Sequence, residues 1–146
     1  ALAVAMIPFV RTATTDPGRL RLPAAMARQY LIDHSAGFGL REAALAFPET
    51  VTPPGAPLIA VMFRDSCVRT NFYAPPGYAL DCPNYPGTDA IRQALAAGGA
   101  VYVLQDRLLG AIDVAALVEQ AIIVARHPRP GETLDTASVV LWRLEN

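Results

Sequence analysis

The sequence predicts a small three-layer α/β domain with a mainly parallel, Rossmann-like sheet and helices on both faces. Two continuous apolar runs, Leu58–Phe63 and Ala100–Leu104, have the length and composition of strands that are buried on both sides. A helical pattern lies between them, and the β-branched run Ala137–Leu144 is typical of a further strand. Strands that alternate with helices favour parallel pairing through right-handed crossovers.

An N-terminal arm is predicted to precede a single domain, with the boundary between residues 1–22 and 23–146. Residues 1–10 are apolar but too few to span a bilayer, which needs about twenty. We expect them to be either the end of a membrane helix or a buried first strand or helix. Threonine, proline and glycine dominate 11–23, and Asp16-Pro17-Gly18 is typical of a turn, so this stretch is predicted to be an extended surface linker.

Helix signals begin at the start of the domain. Pro23 suits the first turn of a short helix that runs to about Leu31, because proline there loses no helical hydrogen bond. Apolar residues from Leu40 to Phe47 then recur at helical spacing, and Pro48 is predicted to stop this second helix.

Further elements are expected in the second half of the chain. Gly77–Asp81 is predicted to be a short strand. Thr88 is a good N-cap for a helix that Gly98-Gly99 ends. Asp113 is predicted to cap a longer helix that carries apolar residues from Val114 to Ala125.

Composition and charge exclude some classes of function. The chain is 53% hydrophobic, which favours a packed core over disorder. Its formal net charge is -1, and its twelve basic residues, all arginine, are scattered from Arg11 to Arg143. Nucleic acid is therefore not expected as a partner, because phosphate-binding surfaces need clustered positive charge.

The turn Gly37-Phe38-Gly39 stands directly before a predicted helix and raises the question of a phosphate-binding loop. A dinucleotide fingerprint needs a third glycine and a preceding strand. Here Ala43 falls one position after the place of the third glycine, and the preceding residues are predicted to be helix and loop. The turn is better explained by glycines that allow unusual dihedral angles and close packing.

Cys67 and Cys82 are the only two cysteines and flank a loop rich in proline and aromatic residues. A disulfide between them is the favoured interpretation and would stabilise the domain by roughly 3 kcal/mol; two buried reduced thiols are the alternative. A nucleophilic Cys67 would need a base, for which only His34 and His127 are available. Neither a metal site nor a cofactor is predicted, because these residues lack paired ligand spacing, and no catalytic residue is assigned.

Binding residues are predicted in two places. Asp65 and Asp106 follow predicted strands, where α/β proteins tend to bind ligands, although acidic residues also cap helices and solvate loops. The aromatic loop contributes Tyr73, Tyr78 and Tyr85, which suit contact with a sugar, a peptide or a protein surface. The alternative is that these rings pack against their own loop.

One segment resembles a known family. The resemblance rests on the apolar N-terminal end and on residues within 8–44, namely Asp16-Pro17, Leu22-Pro23, Gln29-Tyr30, Ala36-Gly37-Phe38-Gly39 and Arg41-Glu42-Ala43-Ala44. It is similar to the segment after the last membrane helix in bacterial multi-spanning glycosyltransferases related to the dolichyl-phosphate-mannose protein mannosyltransferases. In that family the arm leads into a small C-terminal α/β domain outside the cytoplasm.

The resemblance implies that the parent protein transfers a sugar from a polyprenyl-phosphate donor. This domain would be its soluble accessory domain at the extracytoplasmic face of the cell membrane, with no catalysis of its own. Its partners would be the membrane-spanning part of the same polypeptide and a glycan or protein acceptor. The first alternative is an independent α/β ligand-binding protein or enzyme with its site at Asp65–Cys67. The second is a structural domain of an unrelated envelope protein.

Overall fold

The computed structural model describes residues 37–109 and 112–145, together with residues 8, 10–13, 15, 23 and 26. Residue 10, at the end of the apolar segment, and residues 11–13 and 15, in the predicted linker, are helical. The helix predicted at 23–31 lies outside the described residues apart from positions 23 and 26. No described helix has the length and apolar character that are needed to cross a bilayer.

The domain is a mixed α/β structure built on a four-stranded sheet. The order across the sheet is β1-β2-β4-β3. The strands are β1 (Leu58–Val61), β2 (Val101–Asp106), β3 (Gln120–His127) and β4 (Val139–Glu145).

The prediction of a mainly parallel sheet is wrong for two of the three strand pairs. β1 and β2 are parallel, whereas β4 is antiparallel to both β2 and β3. β2 and β3 run in the same direction, but β4 lies between them and is antiparallel to both. Parallel pairing is therefore confined to β1 and β2, which are joined through helices. β3 and β4 are joined by a short loop, which favours antiparallel pairing.

Within residues 37–109 and 112–145, four helices and two 3-10 turns surround the sheet. α4 begins after Gly87, which is its N-cap, and ends before the glycine pair at 98–99. The prediction of Thr88 as the N-cap is wrong, because Thr88 is the first helical residue and no side chain caps the helix. The helices are α1 (Leu40–Leu45), α2 (Phe47–Thr50), α3 (Arg64–Asn71) and α4 (Thr88–Ala96), and the 3-10 turns are Arg107–Leu109 and Val114–Leu117.

Apolar cores form on both faces of the sheet because every residue of β1 and β2 is buried. Alternate side chains of these strands point to opposite faces. Leu58 and Leu104 face the first core, which α1 and Phe47 cover. Ile59 and Val103 face the second core, which α4 covers. The structure thus confirms the two strands, buried on both sides, that the continuous apolar runs predicted.

The helix predicted from Val114 to Ala125 is wrong. Only Val114–Leu117 is helical, as a single 3-10 turn whose N-cap is Asp113, and β3 follows from Gln120. Ile122, Ile123 and Val124 are β-branched and suit a strand, and pairing along the whole of β4 decides the outcome.

Two further differences concern the region after β1. α3 was not predicted, because its buried residues Ser66, Cys67 and Thr70 give no apolar helical pattern. The strand predicted at Gly77–Asp81 is reduced to one parallel bridge between Asp81 and Ile59. Two backbone hydrogen bonds, at 2.8 and 2.9 Å, hold that bridge against the outer edge of β1.

Candidate functional site

The loop that follows α3 is held to the domain by a disulfide and by two hydrogen bonds of one side chain. Cys67 and Cys82 form a disulfide with a Cα to Cα distance of 5.7 Å, which confirms the predicted bridge. The side chain of Asn71 donates to the carbonyl of Leu80 at 2.7 Å and accepts from its amide at 2.8 Å. The side chain of Asn71 therefore satisfies the backbone of Leu80 as a neighbouring strand would, and together with the disulfide it constrains the aromatic loop.

Exposed apolar side chains lie at both ends and on the middle turn of α3. Phe63 precedes the helix, Val68 and Phe72 are four residues apart and share its outward side, and Phe72 is 80% exposed. We call this set the aromatic surface; its members are Phe63, Val68, Phe72, Tyr73 and Tyr85. Exposed apolar groups collected in this way are typical of a contact with another macromolecule.

The three predicted tyrosines have different surroundings. Tyr73 is exposed, and the Arg41 guanidinium lies 5.8 Å from the centre of its ring. Tyr85 is also exposed, stands 6.2 Å from the ring of Phe63, and donates to the carbonyl of Leu109 at 3.1 Å. Two of the tyrosines are thus available at the surface.

Tyr78 points inward and packs against the first core. Its ring centre lies 6.4 Å from that of Phe47, which is fully buried. Part of the aromatic loop therefore forms its own packed cluster, as the alternative interpretation of the sequence expected, while the rest stays exposed.

A small cavity of about 100 Å³ adjoins Tyr73. Arg41 and Arg69 line it, and so does Ser66, whose Oγ is buried and has no hydrogen-bond partner among the described residues. Gly37, in the glycine turn before α1, lines the same cavity.

The two predicted aspartates do not come together in one site. Asp65 is exposed in the first turn of α3 and lines none of the cavities described in this section. Asp106 is fully buried at the end of β2, where its two oxygens accept from the Arg129 guanidinium at 3.0 and 2.8 Å. Its carboxylate is therefore occupied by a partner inside the protein.

Glu132 completes the polar cluster around Arg129. Its carboxylate accepts from the amide of Arg129 at 2.8 Å and from the amide of Ser138 at 3.0 Å, and Ser138 also bonds the guanidinium. Burial raises the pKa of Glu132, but these hydrogen bonds and the charge of Arg129 outweigh it, so the pKa lies below its ordinary value. This cluster joins the end of β2 to the loop between β3 and β4.

The glycine turn is a close-packing device, as the sequence analysis favoured. Gly39 has φ +78°, and a Cβ there would lie 2.8 Å from the carbonyl oxygen of His127 and 2.9 Å from a methyl group of Val139. The Glu42 carboxylate accepts from the Gly39 amide at 2.8 Å. That amide is therefore already bonded within the protein, and α1, with only six residues, is short.

His127 lies where β3 passes beneath this turn. Burial lowers the pKa of its imidazole, and the nearby charge of Glu42 raises it only in part, so the net pKa lies below its ordinary value. Its Nε2 is buried and has no hydrogen-bond partner among the described residues. The lowered pKa favours the neutral imidazole over its protonated form.

A second, larger depression of about 750 Å³ opens at the end of β2, on the sheet face that carries the second core. We call it the arginine groove, after the two arginines that line it. Its principal side chains are Gln105, Arg107, Asp113, Ile123, Arg126 and Trp142.

Gln105 organises this groove. It is buried, accepts from the indole nitrogen of Trp142 at 3.0 Å, and donates to the carbonyl of Ile112 at 2.8 Å. Neither Arg107 nor Arg126 has a side-chain hydrogen bond or ion pair to any described residue, whereas Asp113 caps the following 3-10 turn. Asp106, which was predicted to bind a ligand at the end of β2, points to the face of the sheet opposite this groove.

No described group of three histidine, cysteine, aspartate or glutamate side chains has the arrangement of a metal site. Comparisons of the chain with protein-family models, with curated proteins and with solved structures find no match.

Proposed function

We propose that this chain is an extracytoplasmic accessory domain of a membrane glycosyltransferase that uses a polyprenyl-phosphate sugar donor. Its role there is to recognise the acceptor or a partner, without catalysis of its own. The observation that carries the proposal is the aromatic surface, which is exposed yet held firmly by the disulfide and by Asn71.

The position of that surface supports docking close to the arm. Tyr73 and Gly37 line the same cavity, and Gly37 belongs to the stretch 8–44 that resembles the junction after the last membrane helix. In the proposed parent this arm comes from the last membrane helix, which would turn the aromatic surface toward the membrane-spanning part. The disulfide fits such a location because it needs an oxidising compartment.

The fold that accompanies this proposal is a Rossmann-like three-layer domain on an extended arm. Helices that contact both sheet faces support three layers. The parallel pair β1 and β2, with α3 and α4 between them, is the part of the sheet that resembles a Rossmann unit.

Cell fractionation tests the location. An antibody against the domain should detect a polypeptide far larger than 15.6 kDa, confined to membranes. A soluble band near the mass of the domain would overturn the membrane assignment.

Substitution of the surface tests the recognition role. In the membrane-bound parent, Phe72→Ala with Tyr73→Ala should lower sugar transfer or partner binding while the domain stays folded. Leu134→Ala is the matched control, because Leu134 is 63% exposed in the loop between β3 and β4, outside the aromatic surface. Unchanged transfer and binding in the double variant would remove this role.

A further inference from the structure

We propose that the arginine groove binds an organic anion that carries a phosphate or carboxylate group on a sugar-sized ring. The proposal is independent of the accessory-domain function. Trp142 and Val114 belong to the second core, whereas α1 and Cys67 belong to the first core, on the other face of the sheet.

The charges of the groove favour an anion. Arg107 and Arg126 contribute two guanidinium groups that have no ion-pair partner among the described residues. Asp113 is the one carboxylate among the described lining residues, and it already accepts from the amide of Ala115 at 3.1 Å. Two guanidiniums facing one cavity can hold a phosphate or carboxylate through paired, charge-assisted hydrogen bonds.

The rest of the lining favours a ring beside the anionic group. Trp142, Ile123 and Leu108 give the groove an apolar side, and an indole is a good surface for the flat face of a sugar or another ring. The volume of about 750 Å³ is that of a small-molecule site and far exceeds the need of a bare inorganic ion.

The groove is also preorganised. Arg126 and Trp142 stand on adjacent strands of the sheet, and the amide of Arg107 donates to the carbonyl of Ser138 at 2.8 Å. The side chain of Gln105 holds both the indole of Trp142 and the carbonyl of Ile112. The binding groups therefore need little ordering when a ligand enters, which favours affinity.

The test uses the fluorescence of Trp142, which is the only tryptophan of the chain and lies in the groove. The purified 146-residue chain is titrated with glucose 1-phosphate, glucuronate, glucose and inorganic phosphate. Calorimetry then measures the binding of each of these compounds to the same chain. We expect saturable binding of glucose 1-phosphate or glucuronate, at least about tenfold tighter than glucose or inorganic phosphate. The preferred compound identifies the anionic group.

Variants then assign the binding to the arginines. Arg107→Gln and Arg126→Gln should each weaken binding about tenfold or more, the size of a lost charge-assisted hydrogen bond, and Arg126→Lys should have an intermediate effect. Arg92→Gln is the control, because Arg92 is exposed on α4 and pairs with Asp89. Circular dichroism verifies that each variant is folded.

Three results would overturn the proposal. The first is no signal in fluorescence or calorimetry up to about 10 mM of either anionic sugar, which is weaker than ordinary biological affinity. The second is equal binding of glucose, which would make the charges irrelevant. The third is unchanged affinity in folded variants of both arginines. None of these results bears on the membrane location or on the aromatic surface.

Discussion

Arg129 and Asp106 form a two-point ion pair at 3.0 and 2.8 Å, and neither side chain is exposed to solvent. The pair connects the end of β2 with the loop between β3 and β4. A residue that sequence reasoning assigned to ligand binding is thus a partner in a buried structural contact.

Removal of one member of this pair should be strongly destabilising. Arg129→Met leaves the Asp106 carboxylate buried and unpaired, which costs about 3–5 kcal/mol of the free energy of unfolding. Urea unfolding measures the loss. Arg129→Met combined with Asp106→Leu should recover part of it, because the buried Asp106 carboxylate is then removed together with its partner. The exposed ion pair between Arg92 and Asp89 gives the control, because Arg92→Gln should change the free energy of unfolding by less than about 0.5 kcal/mol. A double variant less stable than the single one would contradict this account.

The disulfide and Asn71 should act on the same loop and so be coupled. Replacement of both cysteines by alanine should cost roughly 3 kcal/mol on the chain-entropy model. Asn71→Ala should cost about 1–3 kcal/mol, because the buried amide of Leu80 loses its partner. The triple variant should lose less stability than the sum of the two separate losses, because the loop is already released once either constraint is removed. Chemical denaturation of the four proteins tests this, and strict additivity would mean that the two fastenings are independent.

Gly39 should tolerate alanine poorly for two reasons. Its positive φ disfavours an L residue by about 1–2 kcal/mol, and the new Cβ would collide with the backbone of His127. Gly39→Ala should therefore lose more than about 2 kcal/mol of the free energy of unfolding. Gly55→Ala separates the two effects, because Gly55 has φ +84° but no atom within 4 Å of its added Cβ. Equal losses for both variants would show that close packing at residue 39 adds nothing.

His127 should make the domain less stable in mild acid. Its folded pKa is lowered, so the unfolded chain binds the proton more readily, and stability is lost as pH falls through about 6.5 toward the folded pKa. The measurement is the free energy of unfolding at several pH values from 8 to 5. His127→Gln should show a shallower decline between pH 7 and 5 than the parent protein, and parallel curves would refute the assignment.

Glu132 should add a second decline in stronger acid. Its folded pKa is also lowered, so its contribution is present above the ordinary pKa of glutamate and is lost as pH falls below about 4.5. Glu132→Gln should be less stable than the parent at pH 7, and the difference should shrink toward pH 3. A difference that stays constant over this interval would rule out titration of Glu132 as the cause.

The central strands and α4 were predictable because their signals are local. Leu58–Val61 and Val101–Leu104 are continuous apolar runs, and the glycine pair at 98–99 marks the end of α4, although its N-cap is Gly87 and not Thr88. The disulfide was also predictable from the number and spacing of the cysteines.

The misassigned region shows where local signals fail. Val114, Leu117, Val118 and Ala121 recur at helical spacing, yet β3 takes the second half of this stretch. The cause is long-range: pairing with β4 satisfies the backbone of β3 along its length, and no local pattern reveals that pairing. α3 was missed for the opposite reason, since it is polar and its packing depends on the first core.

The candidate site was half predictable. Tyr73 and Tyr85 are exposed, whereas Tyr78 packs against the first core, so the sequence identified the loop but not which rings stay at the surface. The arginine groove was not, because Arg107, Arg126 and Trp142 come together only through the sheet order. At the end of β2, Gln105 lines the groove, whereas Asp106 points to the opposite face of the sheet.

The strand order also has a consequence for synthesis of the chain. β4 is made last of the four strands but lies between β2 and β3. Until β4 has been made, β3 therefore has no strand to pair with, and its backbone hydrogen-bonding groups have no partner in the sheet. The sheet can close only when β4 takes its place between β2 and β3.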